Sequence, residues 1–369
     1  MRYGWAFSPD YVAARSRFRD AAARAGWELE AHPVGVAGPA GDDLTVDVAR
    51  TPVATDRTLV VSSGLHGVEG FFGSAVQLAL LEHWRANPAP PVGCVLVHGL
   101  NPAGFAHLRR FDENNVDPNR NFLLPGERYE GAPAGYAEVD ALLNPERRPS
   151  RWEPFLPKAA WAIARYGLAA LRQTVAAGQY DFPRGLFYGG AGPSRTNLIL
   201  AENLGRWVGD SRAAVHLDFH TGLGPYGSCK LLIDYPLDAR QRANLTDWFG
   251  AGSFEECSSS TIAYDTRGGF GPWCVSRRLA ADYYYACAEF GTYGPVRMLA
   301  GLRAENQAHH WGSPAAGSTA RAKARLKELF CPAAESWRSA VVARGLKLVE
   351  QAVAGLLADP SRPVPAGPA

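Results

Sequence analysis

Two short apolar runs, Thr58 to Ser63 and Gly93 to His98, enclose a segment with a different periodicity. Phe72, Val76, Ala79, Leu80 and His83 recur at spacings of three and four, which predicts an amphipathic helix over 70–87. The enclosing runs are short and rich in β-branched residues, as buried strands are. Strand, helix, strand in that order implies a right-handed crossover and parallel neighbours in a helix-covered sheet. Similar strand-like runs occur at Ala214 to His220, Lys230 to Tyr235 and Tyr283 to Phe290, with another strand near Leu44 to Val48 and a helix at Tyr11 to Gly26. The expected fold class is α/β: a three-layer α/β/α sandwich around a mixed, mostly parallel sheet.

With 47% hydrophobic and 20% charged residues, the chain can bury a sizeable core. One domain over 1–358 is expected. Residues 124–195 are rich in Pro, Gly and charge (LPGERYEGAPAGY, NPERRPSRWEP) and read as an insertion over the active site, helical from about Ala159 to Ala177. Helices near Ser318 to Phe330 and Ala333 to Ala358 close the fold, and 359–369, with four prolines, reads as a disordered tail.

The balance of 38 basic against 36 acidic residues leaves a net charge of +2, so neither nucleic acid nor an anionic membrane is a favoured partner. No apolar run is long enough to span a bilayer, and the first thirty residues lack the apolar core of a signal peptide. The six cysteines form no CxxC pair, and several lie in apolar runs, as reduced buried thiols do. A cytoplasmic location is expected.

The chemistry gathers at strand ends. In Gly64-Leu65-His66-Gly67-Val68-Glu69-Gly70, His66 and Glu69 occupy a strand-to-helix turn at the carboxyl end of the sheet, where open α/β folds bind ligands. One imidazole and one carboxylate there can share a cation, and zinc accepts that pair with a third protein ligand. Taken alone, an HxxE is weak, and a buried histidine beside an acidic first helical turn explains it equally well. A second strand, Val215-His216-Leu217-Asp218-Phe219-His220, runs into a Gly-containing turn and ends on His220. His216 reads as a core histidine, and Asp218 as a partner for a metal-bound imidazole. His98 and His107 are the next metal candidates. A long turn between these strands carries Arg109, Arg110, Asn119 and Arg120, whose side chains suit a carboxylate or an oxyanion. Finally, Glu289 closes the apolar run 283–290; a buried carboxylate normally faces a metal, a base or a cleft.

Together these motifs resemble the zinc metallocarboxypeptidase superfamily, which includes the succinylglutamate desuccinylase and aspartoacylase branch. The order is the same: HxxE, an Asn-Arg pair, a strand-end His, a strand-end Glu. The strings NVDPNRNF and EFGTYG place the chain closest to the bacterial domain-of-unknown-function 2817 branch, with the likeness running from about Thr58 to Gly294. The resemblance implies a carboxypeptidase-like fold and one Zn2+ per chain held by His66, Glu69 and His220. It implies Glu289 as general base and acid, and Arg110 of the Arg109-Arg110 pair as the oxyanion arginine. Asn119 and Arg120 would hold a substrate carboxylate, and Tyr264 stands for the substrate-side tyrosine. Pro118 replaces a more usual aliphatic residue. The implied activity is carboxypeptidase-type removal of a C-terminal residue from a small peptide. Deacylation of an N-acyl amino acid is the alternative, and an inactive zinc- or peptide-binding module a third reading. No GxSxG nucleophile elbow occurs, and no His is followed directly by Glu, so serine-hydrolase and zincin motifs are absent.

Overall fold

The computed structural model describes residues 2–358 apart from 54, 88, 151–152, 168–170, 172–173, 176 and 257–265. Its strands are β1 (Glu28–Ala37), β2 (Asp43–Arg50), β3 (Arg57–Ser63), β4 (Gly93–His98), β5 (Ala213–Thr221), β6 (Cys229–Ile233), β7 (Phe254–Glu256) and β8 (Asp282–Phe290). They form one sheet in the order β1-β2-β4-β3-β5-β8-β6-β7. The central strands β4, β3, β5 and β8 are parallel. Antiparallel β1-β2 borders β4, and β6 runs antiparallel to β8 with β7 parallel to it. The mixed α/β sheet expected from the sequence is thus present.

The helices are α1 (Tyr11–Arg24), α2 (Gly70–Ala86), α3 (Pro102–Ala106), α4 (Tyr136–Leu143), α5 (Phe155–Tyr166), α6 (Arg195–Val208), α7 (Ala239–Phe249), α8 (Phe270–Ser276), α9 (Pro295–Trp311), α10 (Gly317–Phe330) and α11 (Glu335–Leu357). Helix α1 begins where the Asp10 side chain accepts the Ala13 N–H, and it buries Tyr11, Ala14, Phe18, Ala21 and Ala22 on one stripe. No helix among the described residues is long and apolar enough to cross a membrane. The five described cysteines are free.

Alternation along the strands sorts side chains to two faces. On one face Ser63 Oγ donates to Gln77 of α2 at 3.0 Å, and Phe219 meets Phe72. Gly345 lets α11 approach that face, since a Cβ there would lie 3.1–3.2 Å from Val76 and Phe219. On the other face Thr58 reaches Ser211 just beyond α6, and His216 packs against Phe270 of α8. The sheet is therefore covered on both sides.

Strand β3 has β4 on one side and β5 on the other, so the order of strand addition reverses there. A crevice opens at such a switch point, outside the carboxyl ends of the strands.

Sequence periodicity does not reveal β1 or helices α4 and α6 to α9. β1 is an edge strand with mostly exposed or half-exposed residues, so it lacks the apolar run of a central strand. The 124–195 segment is helical earlier than expected, since α5 starts at Phe155 rather than Ala159. Helix α5 ends at Tyr166, residues 171 and 174–175 are again helical, and 168–170, 172–173 and 176 of the expected stretch lie outside the described residues. The chain leaves β6 at Ile233, two residues before the expected Tyr235. Residues 359–369 lie outside the described residues.

Candidate metal centre and pocket

The turn after β3 is fixed by its own backbone. A Cβ on Gly67 would collide with the backbone of Gly104 and Phe105, so the chain can pass α3 this closely only with glycine there. The Gly67 and Val68 N–H groups donate to the Arg110 and Arg109 carbonyls. The HxxE turn and the arginine loop therefore hold each other.

His66, Glu69 and His220 converge on one point, all buried, with ligand atoms within 4.8 Å of one another. His66 Nδ1 lies 2.9 Å from Glu69 Oε1, and His220 Nδ1 lies 3.1 Å from Glu69 Oε2. Two ligands at zinc's usual bond length and a tetrahedral angle stand about 3.3 Å apart, close to both separations. The opposite ring nitrogens are also engaged: His66 Nε2 faces Asp117 Oδ1 at 3.2 Å, and His220 Nε2 faces Asp218 Oδ2 at 2.6 Å. Each imidazole thus presents Nδ1 to the centre and Nε2 to an aspartate, the arrangement that orients metal-bound histidines. The donor set and its supports fit a zinc ion.

The charges follow from this packing. Burial opposes ionisation of Glu69, but the two histidines outweigh it and hold the carboxyl well below its usual range. Burial likewise opposes protonation of His220, and Asp218 with Glu69 overcomes it. Asp117 is buried too, yet Arg110 and His66 keep it ionised.

Asp218 anchors a wider network: it accepts from Ser62 Oγ at 2.6 Å and Tyr285 OH at 3.1 Å. His216 bonds Ser62 Oγ and Tyr283 OH, at 2.8 Å each. Burial lowers its pKa to about 4, so it is a neutral core histidine, as expected.

Register places Glu289 opposite His220, on the same face of neighbouring parallel strands. Its Oε1 accepts the Leu223 N–H at 2.8 Å. Burial, followed by repulsion from Glu69, raises its pKa to about 7. The triad and Glu289 line a cavity of about 400 Å³, together with Arg110, Asn119 and Arg120.

The two adjacent arginines separate here. Arg109 is buried and pairs with Glu305 of α9 at 3.0 Å, whereas Arg110 lines the cavity. Arg110 Nε donates to Asp117 Oδ2 at 3.0 Å, and its Nη2 lies 2.7 Å from His66 Nε2. Pro118 opens the single turn Pro118–Arg120, where its fixed φ is suitable. Asn119 Oδ1 accepts the Phe270 N–H at 2.9 Å, which directs the amide NH2 elsewhere. Burial lowers the Arg120 pKa, and its stem crosses Gly178, where a Cβ would collide with it. Tyr264 lies outside the described residues.

Three cavity neighbours escape sequence reasoning. Asp117 stands two residues before Asn119 in the same string, a signal that spacing from the Asn-Arg pair offered. Phe187 packs its ring under the Arg110 and Arg120 guanidiniums, 5.5 and 6.0 Å from its centroid. Asp234 lines the cavity where the chain leaves β6, and burial raises its pKa to about 7. Neither of the last two has a local sequence signal.

Residues 7–344 match the model of a family described as a protein of unknown function, DUF2817. The chain belongs to the DUF2817 family. This match reaches well beyond the Thr58 to Gly294 stretch of the motif likeness. No curated protein matches this DUF2817 member. Among solved structures, bovine thrombin-activatable fibrinolysis inhibitor, in complex with tick carboxypeptidase inhibitor, is 12% identical with a TM-score of 0.51, covering 95% of this chain and 98% of its own. Carboxypeptidase A from Helicoverpa armigera is 12% identical at a TM-score of 0.46, covering 86% of this chain and 74% of its own. A candidate metallopeptidase from Shewanella baltica OS155 is 15% identical at 0.44, covering 83% and 93%. The first of these shows that the DUF2817 chain has a carboxypeptidase-like fold.

Proposed function

We propose that this protein is a zinc-dependent hydrolase of amide bonds whose amine-side residue carries a free carboxylate. One observation carries the reading: two histidines turn Nδ1 toward Glu69 and Nε2 toward an aspartate, beside a fourth buried carboxyl group, Glu289. Bound zinc supplies Lewis acidity and lowers the pKa of its water toward about 7.

The chain's own residues do the rest. Glu289, titrating near neutrality, takes a proton from the attacking water and returns it to the leaving amine. With a metal held at Nδ1, the His66 proton would sit on Nε2 and face Asp117, and Arg110, which lines the cavity, would offer its Nη2 to the developing oxyanion. The Asn119 amide N–H and the Arg120 guanidinium bind the substrate carboxylate. Carboxypeptidase-type cleavage of a small peptide is the first form of this activity. Deacylation of an N-acyl amino acid is the second, favoured by the helices of the 124–195 segment, which roof the cavity with Leu142, Phe155 and Ile163.

Arg120→Ala tests the polarity of the site. Turnover of free-carboxylate substrates is expected to fall by about 1.5–3 kcal/mol in transition-state stabilisation, while amidated analogues are little affected. Equal losses on both would assign Arg120 to structure.

A further inference from the structure

The cavity is much larger than its polar floor, and its two flanks differ. On one flank Arg120, Asn119 and Asp234 gather near the start of α8: Asn119 bonds Phe270 N, and a Cβ on Gly268 or Gly271 would strike Arg120 or Asp234. On the other flank α9 and α10 approach the end of β5, where a Cβ on Gly222 would meet Phe330 at 3.3 Å and Met298 at 3.5 Å. Every cavity-lining side chain from α4, α5 and α9 is apolar. Leu299 and Val175 belong to both apolar clusters that wall this flank. The Arg120 flank suits the carboxylate, so the apolar flank receives what lies across the scissile bond.

A peptide would bring its amide groups and a charged ammonium to that side. The cavity-lining side chains of the three helices offer them no hydrogen-bonding partner, and desolvating an ammonium unpaired is costly. An alkyl chain has no such cost. At roughly 30 Å³ per water-sized group, the cavity of about 400 Å³ admits more than a scissile amide and one carboxylate.

We propose that the acyl side of the cleaved amide is an extended aliphatic chain, which makes the substrate a medium- or long-chain N-acyl amino acid. This rests on the hydrolase reading of the same cavity.

The test uses the zinc-loaded full chain and N-acyl derivatives from acetyl to decanoyl, on the amino acid with the highest turnover, against free-amine dipeptides of that amino acid. Binding of the same compounds is measured by calorimetry on zinc-loaded Glu289→Gln. Each added methylene is expected to raise both kcat/KM and affinity roughly fourfold until the chamber fills. Ile163→Asp and Ala159→Trp, on a helix half-open to solvent, are expected to flatten that dependence with melting temperature nearly unchanged. Affinity that climbs with chain length without turnover would support the chamber and overturn the hydrolase reading. Turnover that favours acetyl compounds or dipeptides would overturn the chamber and keep the hydrolase. Absence of both binding and turnover would overturn the two together, and chain-length dependence untouched by both variants would place the chain elsewhere and overturn this assignment.

Discussion

His98 and His220 both lie at the carboxyl end of a central parallel strand and are fully buried, yet they are opposite kinds of residue. At the end of β4, His98 stacks on Phe18 at 4.6 Å and bonds Ser74 Oγ at 2.9 Å. Asp47, its partner across the strand pair, is engaged by Arg15 and Arg19 instead. Burial, helped by the Arg15 charge, drives the His98 pKa down to about 3, and it stays neutral. Near the end of β5, His220 touches Asp218 on one nitrogen and Glu69 on the other, and these overcome the same burial. Strand-end placement and burial alone therefore do not mark a candidate metal ligand; the carboxylates bonded to the ring do.

The sharpest way to break this contrast is to remove each histidine in turn. His66→Ala or His220→Ala is expected to abolish most zinc binding, from about one ion per chain, in a protein that still folds. His98→Ala is expected to keep the zinc and lose about 1–3 kcal/mol of stability through the cavity left beside Phe18. Metal analysis of the three variants with thermal melts decides it; zinc lost with His98 would reverse the assignment.

Next in size is Glu289→Gln, which keeps the shape of the side chain but cannot take a proton. Turnover is expected to fall roughly a hundredfold or more with zinc content intact. Loss of zinc instead would make Glu289 a ligand, and the cluster of His220, Cys287 and Glu289 would then be the centre to consider.

Asp117→Asn and Asp218→Asn sharpen the role of the outer carboxylates. Each is expected to weaken zinc affinity about 10- to 100-fold, measured by competition with a chelator. Unchanged affinity in both would mean that Glu69 alone distinguishes the site from His98.

The smallest effect concerns the pair that ties the start of α5 to α9. Arg303, with Arg147, depresses the Glu153 pKa to about 2, and both partners of the Arg303 pair are almost wholly covered. A depressed carboxyl contributes stability above its unfolded pKa, about 4.5, and loses it as pH falls through about 2. Between those values wild type is expected to lose about 1 kcal/mol more than Glu153→Gln, read from acid-unfolding curves. Parallel curves would remove the pair from the account.

The candidate metal centre is legible in the sequence because its signals are local. An apolar run stops one residue before Gly64, and the next helix opens at Gly70, so the HxxE turn could be placed without any tertiary information. His220 and Glu289 were readable in the same way. What stayed hidden depends on residues far away in the chain. Arg109 and Arg110 are neighbours, and they are told apart by their folded partners, Glu305 for Arg109, 196 positions on, against Asp117 and His66 for Arg110. Asp117 acquires meaning only when its loop folds back on His66. β1 was missed because an edge strand has one paired side and no need of an apolar run.

Strand β5 lies beside β3 in the sheet although some 150 residues separate their paired positions, and β8 completes the central four only near residue 290. Such non-local pairing is slow to form, because loop closure must precede the contacts that reward it. At ribosomal speeds of about 5–20 residues per second, His66 and Glu69 emerge roughly 8–30 s before His220. Throughout that interval the apolar strand β3 leaves the backbone N–H and C=O groups of one edge without their β5 partner. The nascent chain therefore carries an open sheet edge, a template for aggregation, from the synthesis of β3 until β8 is made, an interval that spans every candidate metal ligand.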